Sequence, residues 1–335
     1  MNLTSIGDLA QNMMLRTRST QLKQSIERLT QELSTGQTTD VVSRVGGDLA
    51  YLADIERNLG RLDSFSLAAT EASVFTSHAQ SNLERLHDAS SSLSSSLLAT
   101  APSNLPSVRS NLAHQARSDL EVIMGSLNAS VAGRSIFGGI ATDRAPLGTS
   151  DDLLNALSAE LSGLTSATDI EQAASDWFDD PAGFSASLYS GSSQNLAGIQ
   201  VGSGQVVSVT IKANDSAFRD LIKSVSLAAL ATDPALGLDS ETQNEILQSS
   251  GQALLGSQND ITSLRADLGF TEARIEEAMA RNEAARTSLE FAKSSLLDVD
   301  PFETATRLEN VQFQLESLYS VTVRTSRLSL LSFLR

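Results

Sequence analysis

Ile261, Leu264, Leu268, Thr271, Ile275, Ala278, Asn282, Ala285, Leu289, Ala292 and Leu296 follow one another at strictly alternating steps of three and four. That rhythm holds one seam on one side of a helix for about five heptads, roughly 50 Å at 1.5 Å per residue. A helix that long is hard to fold into anything but a rod of helices lying side by side. The seam is slim, rich in Ala, Thr and Asn, so its expected partners are other helices of the same chain.

The N-terminal end repeats the pattern. Leu22, Ile26, Leu29 and Leu33 line a first helix, which Gly36 is placed to close. Leu52, Ile55, Leu59 and Leu62 open a second, whose stripe continues through Ala69, Ser73 and Thr76 to Leu83. Residues 107–133 read as a third, with Val108, Leu112, Leu120, Ile123 and Leu127 as its apolar points. Between the second and third, the Ser-rich stretch Ser90 to Ser96 and then Pro102 and Pro106 read as a turn between antiparallel helices. After a break at Asp298–Pro301 a last helix carries two neighbouring seams. Leu308, Val311, Leu315, Leu318 and Thr322 form one, and Tyr319, Val323, Leu330 and Leu334 the other.

The middle differs. Gly138, Gly139, Pro146 and Gly148 mark turns. Val201, Val207, Val209 and Ile211 around Gly202 and Gly204 read as a hairpin of two short strands. Asp215 then sits where a helix N-cap belongs, ahead of Phe218, Leu221, Ile222 and Val225. The expected fold class is therefore mainly α: long N- and C-terminal helices packed as a coiled-coil or helical rod, with a small mixed α/β domain inserted in the middle. The expected division is residues 1–47 with 297–335 as an inner coiled-coil domain, 48–140 with 259–296 as a helical rod, and 141–258 as an outward-facing acidic insert.

Charge supports that division. Residues 141–258 hold 4 basic and 15 acidic side chains, so −11 of the net −16 lies there. A solvated middle with contact-making ends fits this balance, and a nucleic-acid partner does not, since phosphate binding needs a basic face. The ends look unfinished within one monomer. From Ser317 to Arg335 there is no acid, and Leu328, Leu330, Leu331, Phe333 and Leu334 crowd the terminus. Such an end is expected to dock on a neighbour. Met1 to Leu15 contains Asp8 and lacks the basic start and apolar run of a cleaved leader. No stretch approaches the roughly 20 apolar residues of a membrane span, so no membrane partner is expected.

Little here points to catalysis. Aromatics make up 4% of residues and cysteine is absent, which removes thiolate metal sites and cysteine nucleophiles. His78 and His87 stand nine apart, not at the i, i+4 spacing of a helical metal pair. Asp298 and Asp300 lack the further ligands of a calcium loop and read as helix stop and cap. Gly202-Ser203-Gly204 is a turn, not a phosphate cradle. Trp177 among Asp176, Asp179 and Asp180 reads as local packing in an acidic loop, and Asn128-Ala129-Ser130 is a sequon of little weight. No cofactor or metal is expected. From the residues alone, an enzyme housed in the insert and a cytosolic helical scaffold stay open as other classes.

Several segments resemble one family. Glu32-Leu33-Ser34-Thr35-Gly36-Gln37 resembles the segment after the first helix of bacterial flagellins. Asp298-Val299-Asp300-Pro301-Phe302-Glu303, followed by Leu308, resembles their C-terminal acidic segment. Arg134-Ser135-Ile136-Phe137-Gly138-Gly139 with Thr142-Asp143, and the closing Ser326 to Leu334, are similar to the hook-associated members of that superfamily. The resemblance covers nearly the whole chain and implies a structural, non-enzymatic subunit joining hook to filament, with a filament flagellin as the alternative. It implies self-assembly into a ring through the terminal helices, with Leu22, Ile26, Leu29, Leu33, Leu315, Leu318, Tyr319, Leu328, Leu330, Leu331, Phe333 and Leu334 as assembly residues. Implied partners are a neighbouring hook-associated protein, flagellin, an export chaperone on the C-terminus and the type III flagellar export apparatus. The implied location is extracellular, in the flagellum, reached without a cleaved signal peptide.

Overall fold

The computed structural model of the chain describes residues 3–100 and 105–333, with side chains over 10–99 and 105–324. In chain order the elements are α1 (Leu3–Thr35), α2 (Val41–Arg44), α3 (Ala50–Thr100), α4 (Pro106–Leu127), the strands β1 (Ser130–Val131) and β2 (Arg134–Ser135), α5 (Ser150–Glu160), α6 (Ala167–Asp179), α7 (Phe184–Ser187), the strands β3 (Ile199–Gly202) and β4 (Gln205–Val207), α8 (Ser216–Leu230), α9 (Ser240–Leu297) and α10 (Pro301–Phe333). The protein is mainly helical, with long terminal helices and a small middle region holding two short antiparallel sheets. It divides into two compact units, residues 1–62 with 284–335, and residues 63–283.

In the terminal unit α1 pairs with α10. Leu22 and Leu29 are buried, a contribution of about 1.5–3 kcal/mol each. Leu308, Val311, Leu315, Leu318 and Thr322 form the half-buried stripe of α10, as their spacing predicts.

In the other unit one apolar core runs through α3, α4, α8 and α9, from Phe75, Leu83 and Leu93 through Leu120 and Leu127 to Phe218, Leu247 and Ile261. The end of α8 is buried on every side from Ser224 to Leu230: Val225, Leu227, Ala228, Ala229 and Leu230 are apolar, and Ser224 returns its hydroxyl to the Asp220 carbonyl at 2.7 Å. It packs chiefly on α4. On α9 the seam is buried at Ile261, Leu268, Ile275, Ala278 and Asn282.

Ser90 to Ser96 is not part of a turn. Helix α3 continues through it, and its serines serve packing. Ser94 Oγ donates to the carbonyl of Gly251 at 2.9 Å, and Ser90 Oγ to that of Leu254 at 3.4 Å. Small side chains let α3 and α9 approach, and a Cβ on Gly251 would lie 3.1 Å from that of Leu97. Pro106 takes the first position of α4, where its missing N–H costs nothing. Pro102 lies outside the described residues.

The predicted hairpin is present as β3 and β4, antiparallel, with Gly202 opposite Gln205. Val209 and Ile211 lie beyond it and pack on the main core instead. The hairpin rests on Ala69, Ala72, Ile275 and Ala278, whose small side chains make a seat for Val201 and Val207. Asn282 Nδ2 donates to the Val201 carbonyl at 2.8 Å and pins it. Asp215 occupies the N-cap position of α8, yet its carboxylate turns back to accept from the Lys212 backbone N–H at 2.8 Å. Trp177 lies in helix α6, not in a loop, and meets Phe178 and Phe184 edge-on at 5.1 and 6.1 Å. Asn128 caps α4 and exchanges two hydrogen bonds with the Leu147 backbone, so its amide is already committed.

Candidate assembly site

The two ends of the chain meet where α1 stops and α10 starts. Gly36 adopts φ +72, and its N–H donates to the Glu32 carbonyl at 2.9 Å, closing α1. The chain then runs alongside the end of α9. Thr38 N–H donates to the Leu297 carbonyl at 2.8 Å, Val299 N–H donates to the Gly36 carbonyl at 2.9 Å, and Gln37 bridges Asp298 antiparallel. The two segments flagged in the sequence, Leu33 to Gly36 and Asp298 to Asp300, are thus neighbours.

Side chains lock this clasp. Glu32 is buried, and its Oε1 accepts from the Thr39 N–H at 3.0 Å and the Thr39 hydroxyl at 2.9 Å. Arg44 Nη2 donates to the Asp298 carbonyl at 2.9 Å, and its Nε to that of Leu296 at 3.3 Å. The last carbonyls of a helix lack intrahelical donors and carry partial negative charge, so a guanidinium is a favourable cap. Asp300 Oδ1 accepts from the N–H groups of Phe302 and Glu303, which confirms it as the N-cap of α10 ahead of Pro301. Ser294 Oγ donates to the Asp298 carboxylate. Beside the clasp lies an open polar groove of about 630 Å³, lined by Arg28, Glu32, Arg44, Glu303, Arg307 and Asn310 among others.

The proposed assembly residues divide by face. Leu22 and Leu29 are buried by the chain's own pairing; Ile26, Leu315 and Leu318 are half-buried; Leu33 is exposed. Tyr319 is exposed at the rim, where its phenol meets Ser19 and Lys23, and those hydrogen bonds and the nearby ammonium lower its pKa. The side chains of Leu328, Leu330, Leu331, Phe333 and Leu334 lie outside the described residues. The polar half of the site, Glu32 and Arg44, escaped sequence reading. A lone Glu and Arg carry no period, and their partners are backbone atoms of distant segments.

Large apolar side chains remain uncovered on this unit. Met13 and Met14 are each 71% exposed, Phe302 83% and Phe313 70%. Phe302 and Phe313 stand eleven apart, three helical turns, and so share a face of α10. Met13, Met14, Leu15 and Leu318 line an apolar groove of about 670 Å³.

Residues 247–334 match the bacterial flagellin C-terminal helical region. This flagellin-like segment takes in most of α9, the Asp298–Pro301 break and α10, about a quarter of the chain. A solved structure described as a flagellar hook-associated protein from Vibrio parahaemolyticus is similar at 14% identity and a TM-score of 0.42, covering 71% of this chain and 95% of that one. None of the curated proteins matches this sequence. No described helix is long and apolar enough to cross a membrane.

Proposed function

We propose that this chain is a structural, non-enzymatic subunit of the bacterial flagellum that joins hook to filament. The observation that carries the reading is the terminal pair of helices: it leaves Met13 and Met14 of α1 facing water, and with them Phe302 and Phe313 within the flagellin-like segment. Uncovered apolar area of that kind marks an interaction surface. The occupant is a neighbouring copy in a ring, with flagellin and a further hook-associated protein above and below. Leu33 and Tyr319, exposed on the same unit, join this surface. Residues 1–47 with 297–335 form its inner coiled-coil part, 48–140 with 259–296 the rod, and 141–258 the acidic outward part. Export runs through the type III flagellar apparatus, with a chaperone on the C-terminus, to the outside of the cell.

The second reading is a filament flagellin, since the matched C-terminal region is that of flagellin itself. Gene deletion separates the two. Bare hooks with unassembled filament protein in the medium support the junction reading. Bare hooks without it mean the chain is the filament subunit, and normal flagella would sink both.

A further inference from the structure

On the α1–α10 pair, three grooves are lined from one face of each helix. On α10, Glu303, Arg307, Asn310, Gln314, Ser317 and Val321 follow at steps of four and three. On α1, Met14, Arg18, Gln21, Ser25, Arg28 and Glu32 do the same. That spacing keeps residues on one side of a helix, so the grooves lie in file along one flank. The helices run antiparallel, since the clasp joins the end of α1 to the start of α10. The polar groove at the clasp, where Arg28 and Arg307 share a wall, is followed by one of about 340 Å³ that Arg18, Leu22, Phe313 and Ser317 line. The apolar groove of Met13, Met14 and Leu318 comes last. Positive charge along this flank is unmatched. Neither Arg18 nor Arg28 makes a hydrogen bond or ion pair with a described residue. The nearby acids are committed: Glu32, Asp40 and Asp300 accept from backbone N–H groups, and Glu303 pairs with Arg307.

A different face of α10 carries the complement. Phe302, Glu309, Phe313, Glu316 and Val323 recur at steps of three, four or seven, all exposed, on the side turned away from the half-buried stripe of Leu308 to Thr322. Glu309 and Glu316 also make no hydrogen bond or ion pair with a described residue. We infer that this acidic and apolar stripe of one copy seats in the flank grooves of the next copy. The pairing rests on the ring reading proposed above. It sets one face against a different one, and contacts of that kind close into a ring when their rotation does. Copies in a ring stand at one height, so like residues of neighbouring α10 helices are level. Glu309 of one copy then reaches Arg28 of the next, and Glu316 reaches Arg18. Phe313 enters the groove at Leu22, and Val323 meets Met13 and Met14. Two charge matches and two apolar ones thus fall in a single register. Packing the stripe on its own equivalent in a parallel pair would instead set Glu309 and Glu316 against like charges, which disfavours that arrangement.

The chain has no cysteine, so introduced thiols report their own contacts. The test uses cells whose only copy of the full chain carries Arg28→Cys, Glu309→Cys or both. Their flagella are isolated, oxidised and run on a non-reducing gel. The double variant should give a ladder of linked copies, and neither single variant should. Linking by Glu309→Cys alone means that the stripe meets itself. Intact flagella without a ladder mean that the stripe lies elsewhere. Both results overturn the pairing while leaving the chain a flagellar subunit, whereas absence of the unaltered chain from such preparations sinks the flagellar reading itself. Where the cysteine pair does not assemble, a charge exchange decides. Arg28→Glu and Glu309→Arg should each lower the fraction of swimming cells roughly tenfold, through loss of a close charge pair, and the two together should restore it. Neither residue bonds within the fold, so the circular-dichroism melts should be unchanged. Single variants that swim normally, or a double variant no better than they are, overturn the assignment.

Discussion

Arg44 reaches across 254 residues of sequence to donate to the backbone carbonyl of Asp298 at 2.9 Å. The bond caps the end of α9 and ties the segment after α1 to the start of α10. Because Arg44 is itself exposed, water competes for this contact. Arg44→Ala should therefore cost about 1–2 kcal/mol, at the low end for hydrogen bonds from a charged donor. Arg44→Lys, unable to reach both carbonyls in one plane, should recover part of it. Urea unfolding followed by circular dichroism measures both.

Ser94 separates packing from a loop role. In a turn, either substitution there would be near neutral. At the contact of α3 with α9, Ser94→Ala should cost about 1 kcal/mol for the lost bond to Gly251. Ser94→Leu should cost about 1–3 kcal/mol through overpacking. The order of the two melting temperatures decides it.

Phe218 is fully buried and meets Phe137 edge-on at 5.8 Å. Phe218→Ala should destabilise the unit of residues 63–283 by about 3–5 kcal/mol. Calorimetry should show that unit melting earlier.

Asp119 predicts a pH dependence. Burial raises its pKa above 3.8, only partly offset by the Gln115 hydrogen bond, and its Oδ2 is buried without a partner. The folded state thus binds the proton more tightly than the unfolded chain. Asp119's relative stability is full below pH 3.8 and is lost as pH rises through the raised folded value. Asp119→Asn should consequently stabilise the protein at pH 7, with the gain shrinking toward pH 3.8. Melting curves of both proteins across that range test the sign.

Much of the fold was legible because helices print their burial at a period of 3.6. The seams Ile261 to Asn282 and Leu308 to Thr322, the stop at Gly36 and the cap at Asp300 all depend on local spacing and local backbone chemistry. The hairpin around Gly202–Gly204 was legible for the same reason, through alternation and turn glycines. Leu33 sits on the predicted stripe yet stays exposed. Glu32 takes the buried place beside it, because its carboxylate satisfies the Thr39 backbone.

The sequence by itself determined the long terminal helices, their breaks and the short hairpin of the middle, since these follow from the order of side chains along one helix or turn. Only the tertiary structure decided that Ser90 and Ser94 belong to a close helix contact, that Arg44 caps a helix more than 250 residues away, and that Phe302 and Phe313 stay uncovered. Serine reads as a loop former until a facing glycine shows there is no room for more. An arginine's partner carbonyls, and the water beside a phenylalanine, depend on which distant segments come to lie beside them, and no local period encodes that.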